Sequence, residues 1–584
     1  MMWYTLIILT FNEHSMNKES GGFPSAEQSQ EQSYTSDMLF PAKQEMIKKF
    51  EEKGLGEYAV MYQAVLKIAE KVREQGGRAL LVGGCVRDYV LGALPKDFDV
   101  EVYHLTPALL RGVLEQCGAI SEVGSAFGIL KVRIEGSILD IDVSMPRIDS
   151  KKQDGHKGFE VNIDPNMSII DAARRRDFTM NSLAADPLTG ELFDPYGGIQ
   201  NLADRVLKIT DPERFKDDPL RVLRAMQFAG RFGLEIDQSS VCVLQEMAQR
   251  FEAISPERFF EEWKKLLLKS PKPSVGLSAA MGMGVFHYIH PEFDQMPATE
   301  QDGGWHPEGD VWIHTLMVVD EAAKIIRQEQ LDEDTALVLM LSAFVHDLGK
   351  PVTTQFEEGR WRARGHEPAG KDPAKRFLEK IGVDAQMQAK VLQLVVDHLK
   401  PAQLFQQHEE YVRHKHQIAG YGPDARDQVA KLARVSDVSD GAIRKLAQRI
   451  APATIQELVL LEQADHLGRG PFMDEMSSDQ FLLPDPSRSG DWLLRRAREI
   501  GVENSKPVSA ISGKELVALG MKQGEDIGTV IRAANVLRDD LGWTVDDIKQ
   551  FLNEFGSDHS FLVAEIMRVS GTEQPSQTKR KQKS

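Results

Sequence analysis

Hydrophobic positions in the first part of the chain switch between two periods. From Ala42 to Glu74 they recur at helical spacing, with Met46, Phe50, Tyr58, Tyr62, Val65 and Ile68 on one apolar side. A continuous apolar run, Ala79 to Val82, then stops at Gly83-Gly84 and predicts a buried strand entering a tight turn. A short helix over Val86 to Leu91, a turn over Gly92 to Lys96 and a second strand are expected next. A helix over Pro107 to Gln116 and two β-rich stretches, Gly128 to Ile134 and Ile138 to Val143, follow. Leu220, Leu223, Phe228 and Phe232 make another helical face, and Ser255 to Tyr288 continues in helices.

The polar residues set on these elements suggest chemistry. Asp97 and Asp99 open the second strand two residues apart, so both carboxylates are expected on one face. Adjacent carboxylates repel unless a divalent cation lies between them, and Mg²⁺ is bound by one or two carboxylates together with substrate phosphates. Gly83 and Gly84 let the backbone approach a phosphate closely, and Arg87 follows them. Asp140 and Asp142 repeat the same-face pattern. Taken alone, an Asp-x-Asp is a solvated edge and Gly-Gly a turn. Their fixed arrangement points to nucleotidyl transfer.

The motifs G-G-x-V-R-D (Gly83 to Asp88) and K-D-F-D (Lys96 to Asp99) closely resemble the head of the class II tRNA nucleotidyltransferases, that is, CCA-adding enzymes and bacterial poly(A) polymerases. The resemblance implies an α/β head of the polymerase-β nucleotidyltransferase type, followed by an all-α neck, an HD body and a tail. It also implies a third carboxylate five residues before an arginine, and Arg147 selects Asp142 over Asp140. R-R-R-D-F-T-M-N resembles the family's second block, with Arg176 on the triphosphate and Asp177 on the sugar. Arg87 and Arg224 would also hold the triphosphate.

D-D-P-L-R (Asp217 to Arg221) matches the family's E-D-x-x-R with Asp217 in place of glutamate. Asp218 and Arg221 are then expected to read the base. The carboxylate would accept from the exocyclic amine of C or A, and the guanidinium would donate to the neighbouring ring nitrogen, a pattern that G and U reverse. Asp218 ahead of Pro219 is also a good helix cap.

Further along, S-A-F-V-H-D-L-G-K-P strongly resembles HD-domain phosphohydrolases. This likeness implies a metal site of His314, His346, Asp347 and Asp465, with His366 and His398 available to a second ion. Imidazoles with carboxylates suit Ni²⁺, Co²⁺ or Mn²⁺ better than Mg²⁺.

Length and composition bound the remainder. At 584 residues the chain is too long for one core. The expected segments are a disordered extension (1–40), the head (41–205), a base-recognising neck (206–300), the HD domain (301–470), a helical tail (471–556) and an end of doubtful order (557–584), basic from Lys579. A net charge of −18 argues against nucleic acid when taken alone, but a local basic strip is compatible with it. Three cysteines without paired spacing fit a reducing cytosol. No run is expected to reach the length of a membrane span. Expected partners are tRNA, CTP and ATP, in the cytoplasm and without a membrane. Poly(A) addition, CC-only or A-only addition, and a phosphohydrolase or regulator with an inactive head stay open as alternatives. Oligomeric state is not legible.

Overall fold

The structure is a computed structural model, and it describes residues 40–571 apart from 42, 124–128, 135–139, 152–158, 420–431, 433–434, 470–485, 523 and 555–558. The expected N-terminal disorder and the basic C-terminal end lie outside the described residues, except that Phe40 is buried and its N–H donates to the Gly190 carbonyl at 3.0 Å.

Helices α1 (Lys43–Glu52) and α2 (Gly56–Glu74) bury the predicted apolar side. Strand β1 (Arg78–Val82) leads through Gly83 into α3 (Gly84–Val90). Gly83 has φ 72°, and a Cβ there would lie 2.9 Å from Arg176 Nη1, so the residue is fixed by both backbone and space. Strand β2 is Asp99–Tyr103, two residues shorter than expected, and Asp97 lies in the bend before it. With β3 (Ala119–Val123), β4 (Ile129–Arg133), β5 (Asp140–Ser144), β6 (Ala184–Ala185) and β7 (Leu192–Phe193) it completes a sheet of order β3-β4-β5-β2-β1-β6-β7. The β2–β5 pairing is parallel and sets Asp99 directly beside Asp142.

The neck centres on α4 (Leu220–Phe232) and α5 (Pro256–Lys269). Trp263 on α5 is fully buried against Phe286 of the neck and Phe344 and Phe377 of the HD body. One buried apolar cluster consequently runs from the head through the neck into the body.

The body contains α6 (Val311–Glu329), α7 (Glu333–Val345), a small hairpin of β8 (Gln355–Glu357) and β9 (Arg360–Arg362), α8 (His366–Lys380), α9 (Ala385–Asp397) and α10 (Ile455–Leu467). Contrary to expectation, Glu333–Thr353 is long and apolar enough to cross a membrane by length and composition. The segment comprises α7, the turn that ends it and a short helix Lys350–Thr353, and it is core of the body, with 83% of its apolar window buried in protein.

The tail differs from the sequence reading at both ends. Pro486–Glu499 packs on α10 and belongs with the body. The separate tail core gathers residues from Ala510 to Ile566, including Leu562 and Ile566 on the helix His559–Ser570, so order extends past 556.

Candidate functional site

In the head, three carboxylates face one another in front of the Gly83 turn. Burial holds the Asp99 carboxyl above its usual range, with Arg176 opposing and Asp142 and Asp97 adding to the rise. Asp142 Oδ1 is buried without a hydrogen-bond partner, and Lys131 Nζ lies 3.2 Å from it. Asp140 is instead clasped by Arg133 through contacts of 2.7 and 3.0 Å. The structure thus brings together Asp97, Asp99 and Asp142 and leaves Asp140 outside. Three carboxylates gathered in this way, with only Lys131 on Asp142 and Arg176 near Asp99 to offset their charge, suit a hard divalent cation such as Mg²⁺.

The arginines expected on the triphosphate have distinct surroundings. Arg176 approaches Gly83 and lies 3.6 Å from Glu101. Glu101, two residues beyond Asp99, is almost wholly buried and accepts from Arg175 at 2.7 Å and from the Tyr103 hydroxyl at 2.8 Å. It anchors the arginine block, and sequence reasoning missed it. The period-two spacing from Asp97 through Asp99 to Glu101 was the available signal. Arg87 is buried, donates to Asn181 Oδ1 at 2.7 Å and stacks over Phe232 at 4.6 Å. Asp177 accepts from Asn181 Nδ2 at 2.9 Å and from Arg224 Nε at 2.7 Å. Arg224 therefore braces Asp177 here.

The two expected base readers occupy one turn but are separately engaged. Asp218 Oδ1, one residue ahead of the N-cap Pro219, accepts from the Leu220 N–H at 3.0 Å, and Oδ2 accepts from Arg258 at 2.7 Å. Arg221 donates to the Arg214 and Arg175 carbonyls at 2.7 and 2.6 Å. Arg258, which belongs to S-P-E-R-F-F, carried no pattern that pointed to Asp218.

The second centre lies in the body. His346 caps α7 and Asp347 follows it in the terminating turn, whereas the sequence placed both within a helix. His314 comes from α6, Asp465 from α10, His366 from the start of α8 and His398 from the end of α9. Candidate ligand atoms of His314, His346 and Asp465 lie within 4.8 Å of one another, as do those of Asp347, His366 and His398.

Tautomers are set by the backbone in three cases. Nδ1 of His346, His366 and His398 lies 2.9, 2.8 and 2.7 Å from the carbonyls of Ala343, Ala363 and Val395. A carbonyl can only accept, so each Nδ1 carries the proton and each Nε2 presents a lone pair. His366 Nε2 and His398 Nε2 face each other at 3.3 Å. Burial first, then the neighbouring His366 and His346, push His398 down to about 3, so two lone pairs meet where a cation would satisfy both.

Asp347 also fits a metal. Both of its oxygens are buried, Lys350 Nζ lies 2.7 Å from Oδ2, and although burial opposes ionisation, His346 and Lys350 hold it well below the carboxylate range. His314 Nε2 is 3.0 Å from Asp465 Oδ1, and its Nδ1 is 2.8 Å from Glu308. Glu308 also accepts from His306 at 2.9 Å, and these two histidine contacts outweigh burial and leave it at about 2. Glu308 as the support of His314 was another residue the sequence reading missed. The cluster opens into a cavity of about 250 Å³.

The chain matches a family model described as the poly A polymerase head domain over residues 79–208, one described as the probable RNA and SrmB-binding site of polymerase A over 233–296, and the HD domain over 311–442. It is thus a polymerase-β-type nucleotidyltransferase joined to an HD domain. The multifunctional CCA protein of Stenotrophomonas maltophilia (strain K279a) is 33% identical over 325 residues, covering 55% of this chain and 75% of the relative. That of Xylella fastidiosa (strain M23) is 31% identical over 402 residues, covering 67% and 84%. The chain belongs to the multifunctional CCA protein family. Its fold is shared with a CCA-adding enzyme in an apo form (TM-score 0.54, 15% identity, covering 91% of this chain and 100% of the other) and with the Bacillus stearothermophilus enzyme in complex with CTP (0.52, 18%, 87% and 98%).

The Asp177–Arg224 pair gives a stability prediction. Asp177 is buried and Arg224 is a third exposed, so Asp177→Ala is expected to cost about 1.5–3 kcal/mol, the range for hydrogen bonds to charged groups. The folded Asp177 titrates below a free carboxyl despite burial, because of Arg224 and Asn181. Its contribution is therefore complete above about pH 4 and fades as pH falls through the folded value. Urea unfolding of both proteins between acid and neutral pH checks this. The gap between them should close at the acid end.

Proposed function

We propose that the head adds CCA to the 3′ end of tRNA from CTP and ATP without a nucleic-acid template, and that the HD body is a metal-dependent phosphohydrolase acting on RNA ends or small phosphoesters. The observation that carries the first part is the parallel register of Asp99 with Asp142, with Asp97 beside them and the Gly83 turn in front. Those carboxylates would hold Mg²⁺, which when bound lowers the pKa of the attacking hydroxyl and neutralises phosphate charge.

The chain's own residues supply the rest. Backbone at Gly83 and Gly84 lies against the triphosphate, and Arg176, anchored by Glu101, pairs with its charge. Arg87, held by Asn181 and Phe232, fixes the same wall. Asp177 meets the sugar while Arg224 keeps it ionised and oriented. Asp218 and Arg221 read the base, and nucleotide entry exchanges their contacts with Arg258 and the two carbonyls for contacts with C or A. In-line attack by the tRNA 3′-hydroxyl on the α-phosphorus releases pyrophosphate.

In the body, His314, His346 and Asp465 would hold one ion and Asp347, His366 and His398 another, of the Ni²⁺, Co²⁺ or Mn²⁺ type. Such ions generate hydroxide near neutral pH and polarise a phosphoryl oxygen. Lys350, 2.7 Å from Asp347, and Arg469, 3.0 Å from Asp465, hold those carboxylates in place and bring positive charge to the cavity. The free thiols of Cys85, Cys117 and Cys242 suit a cytoplasmic location.

Two measurements test these assignments. Asp99→Ala should abolish nucleotide incorporation into tRNA while thermal melting and tRNA binding stay near wild type. Incorporation at the wild-type rate with Mg²⁺ contradicts the head assignment. For the body, elemental analysis in an Asp99→Ala background, which removes the head site, should find a pair of ions per chain after loading with Mn²⁺ and desalting, and a single ion when His366→Ala is added. Equal content in both removes His366 from the ligand set.

A further inference from the structure

Trp305 and Trp361 come from segments far apart in sequence yet line the same cavity as Asp347, His366 and His398. Neither is part of the metal cluster, and both are left open to water, at 44% and 36% exposure. Trp361 on β9 stands opposite Phe356 on β8, with the two rings edge to face and 5.1 Å apart. Phe356 is itself 61% exposed, and Val352 just before the hairpin is 70% exposed. A cross-strand aromatic pair helps a two-stranded hairpin that would be marginal alone. That role does not require the apolar surface to face a polar cavity, and exposed apolar surface of this kind marks a binding site.

Charge in the cavity narrows the ligand. Lys350, Arg362 and Arg469 line it with the two tryptophans and the carboxylates Glu300, Asp302, Asp347 and Asp465, and Arg360 is exposed on the hairpin. Aromatic faces beside cations are the arrangement that holds single-stranded nucleotides, with rings stacking on bases and cations meeting phosphates. Cavity and hairpin are continuous, so a base at the tryptophans places its ribose phosphate towards Asp347 and His366.

Resting on the phosphohydrolase reading of the body, we propose that Trp305 and the hairpin Gln355–Arg362 form a base-stacking platform that makes this site select nucleoside phosphoesters over base-free ones, with Trp361 as the specificity-determining residue. In the hydrolysis a water oxygen bonds to phosphorus, the bond from phosphorus to a ribose oxygen breaks, and the water proton passes to that oxygen. A free nucleotide and an RNA 3′ end share the recognised chemistry.

The test uses the full chain loaded with Mn²⁺ and three phosphodiesters: adenosine 2′,3′-cyclic phosphate, a short oligoribonucleotide with the same end, and glycerol 1,2-cyclic phosphate, which has no base. In Trp361→Ala the kcat/KM ratio of nucleotide to glycerol ester should fall about tenfold or more, chiefly through KM, equivalent to about 1.4 kcal/mol. Trp361→Phe, which keeps a ring, should restore most of it. Equal losses on mononucleotide and oligonucleotide mean that the terminal base alone is gripped, a larger loss on the oligonucleotide means that a run of bases is held, and either supports the platform. An unchanged ratio in Trp361→Ala overturns it. If the wild type opens none of the three compounds, the phosphohydrolase reading fails separately. The platform is then decided by tryptophan quenching with adenosine 3′-phosphate: a component removed by Trp361→Phe supports it, and its absence overturns it.

Discussion

Asp99 and Asp142 stand side by side on parallel strands with Asp97 at the entry of the first, and like charges at that spacing destabilise one another until a cation joins them. The sheet order exists in a form that enforces this crowding, since β2 is held between β1 and β5 by register on both edges. Neighbouring acids show the alternative. Asp140 is neutralised by Arg133, and Glu101 by Arg175, Arg176 and Tyr103. The three at the mouth of the Gly83 turn are less fully offset, with Lys131 3.2 Å from Asp142 and Arg176 opposing the rise at Asp99. The HD body obeys the same rule with a different donor set. Backbone carbonyls fix three imidazoles with Nε2 inward, and the buried Asp347 lies among them with Lys350 on one oxygen.

Much of this was legible in the sequence because it is local. The apolar run into Gly83-Gly84, the period-two acids and the helical face of Leu220 to Phe232 each follow from spacing alone, and the family motifs supplied the roles. What stayed hidden depends on partners distant in the chain. Glu101 meets Arg175 across more than seventy positions, Asp218 meets Arg258 across forty, and Trp361 meets the metal cavity only through the fold. Asp97 reads as part of the strand because alternation continues past the end of the hydrogen-bonded ladder: Phe98 is buried between Asp97 and Asp99, yet pairing starts at Asp99. The central body helix was underestimated as a long apolar element because its terminating H-D-L-G-K reads as polar chemistry, while the helix beneath it is packed on all sides.

The two centres are mechanically linked through the neck. Trp263 inserts between Phe286, Phe344 and Phe377, so the helix that carries Arg258 in its first turn is clamped in the HD core at its middle. The turn that carries Asp218 and Arg221 and the HD body therefore share one apolar cluster, while the tail from Ala510 packs on its own core and meets the body through Arg444–Asp539 and Lys445–Asp540. A large acidic chain in this way still gathers cations locally, with arginines held in the head by buried carboxylates and in the body around the cavity.

The most direct test of the account is the identity of the nucleotides the protein adds. A tRNA ending at its discriminator base is incubated with Mg²⁺ and CTP, with ATP, or with both, and the 3′ ends are sequenced. The account predicts CC with CTP alone, CCA with both, no extension with ATP alone, and arrest after the terminal A. A run of A residues from ATP alone, or products that stop at CC or begin at A when both nucleotides are present, would contradict it.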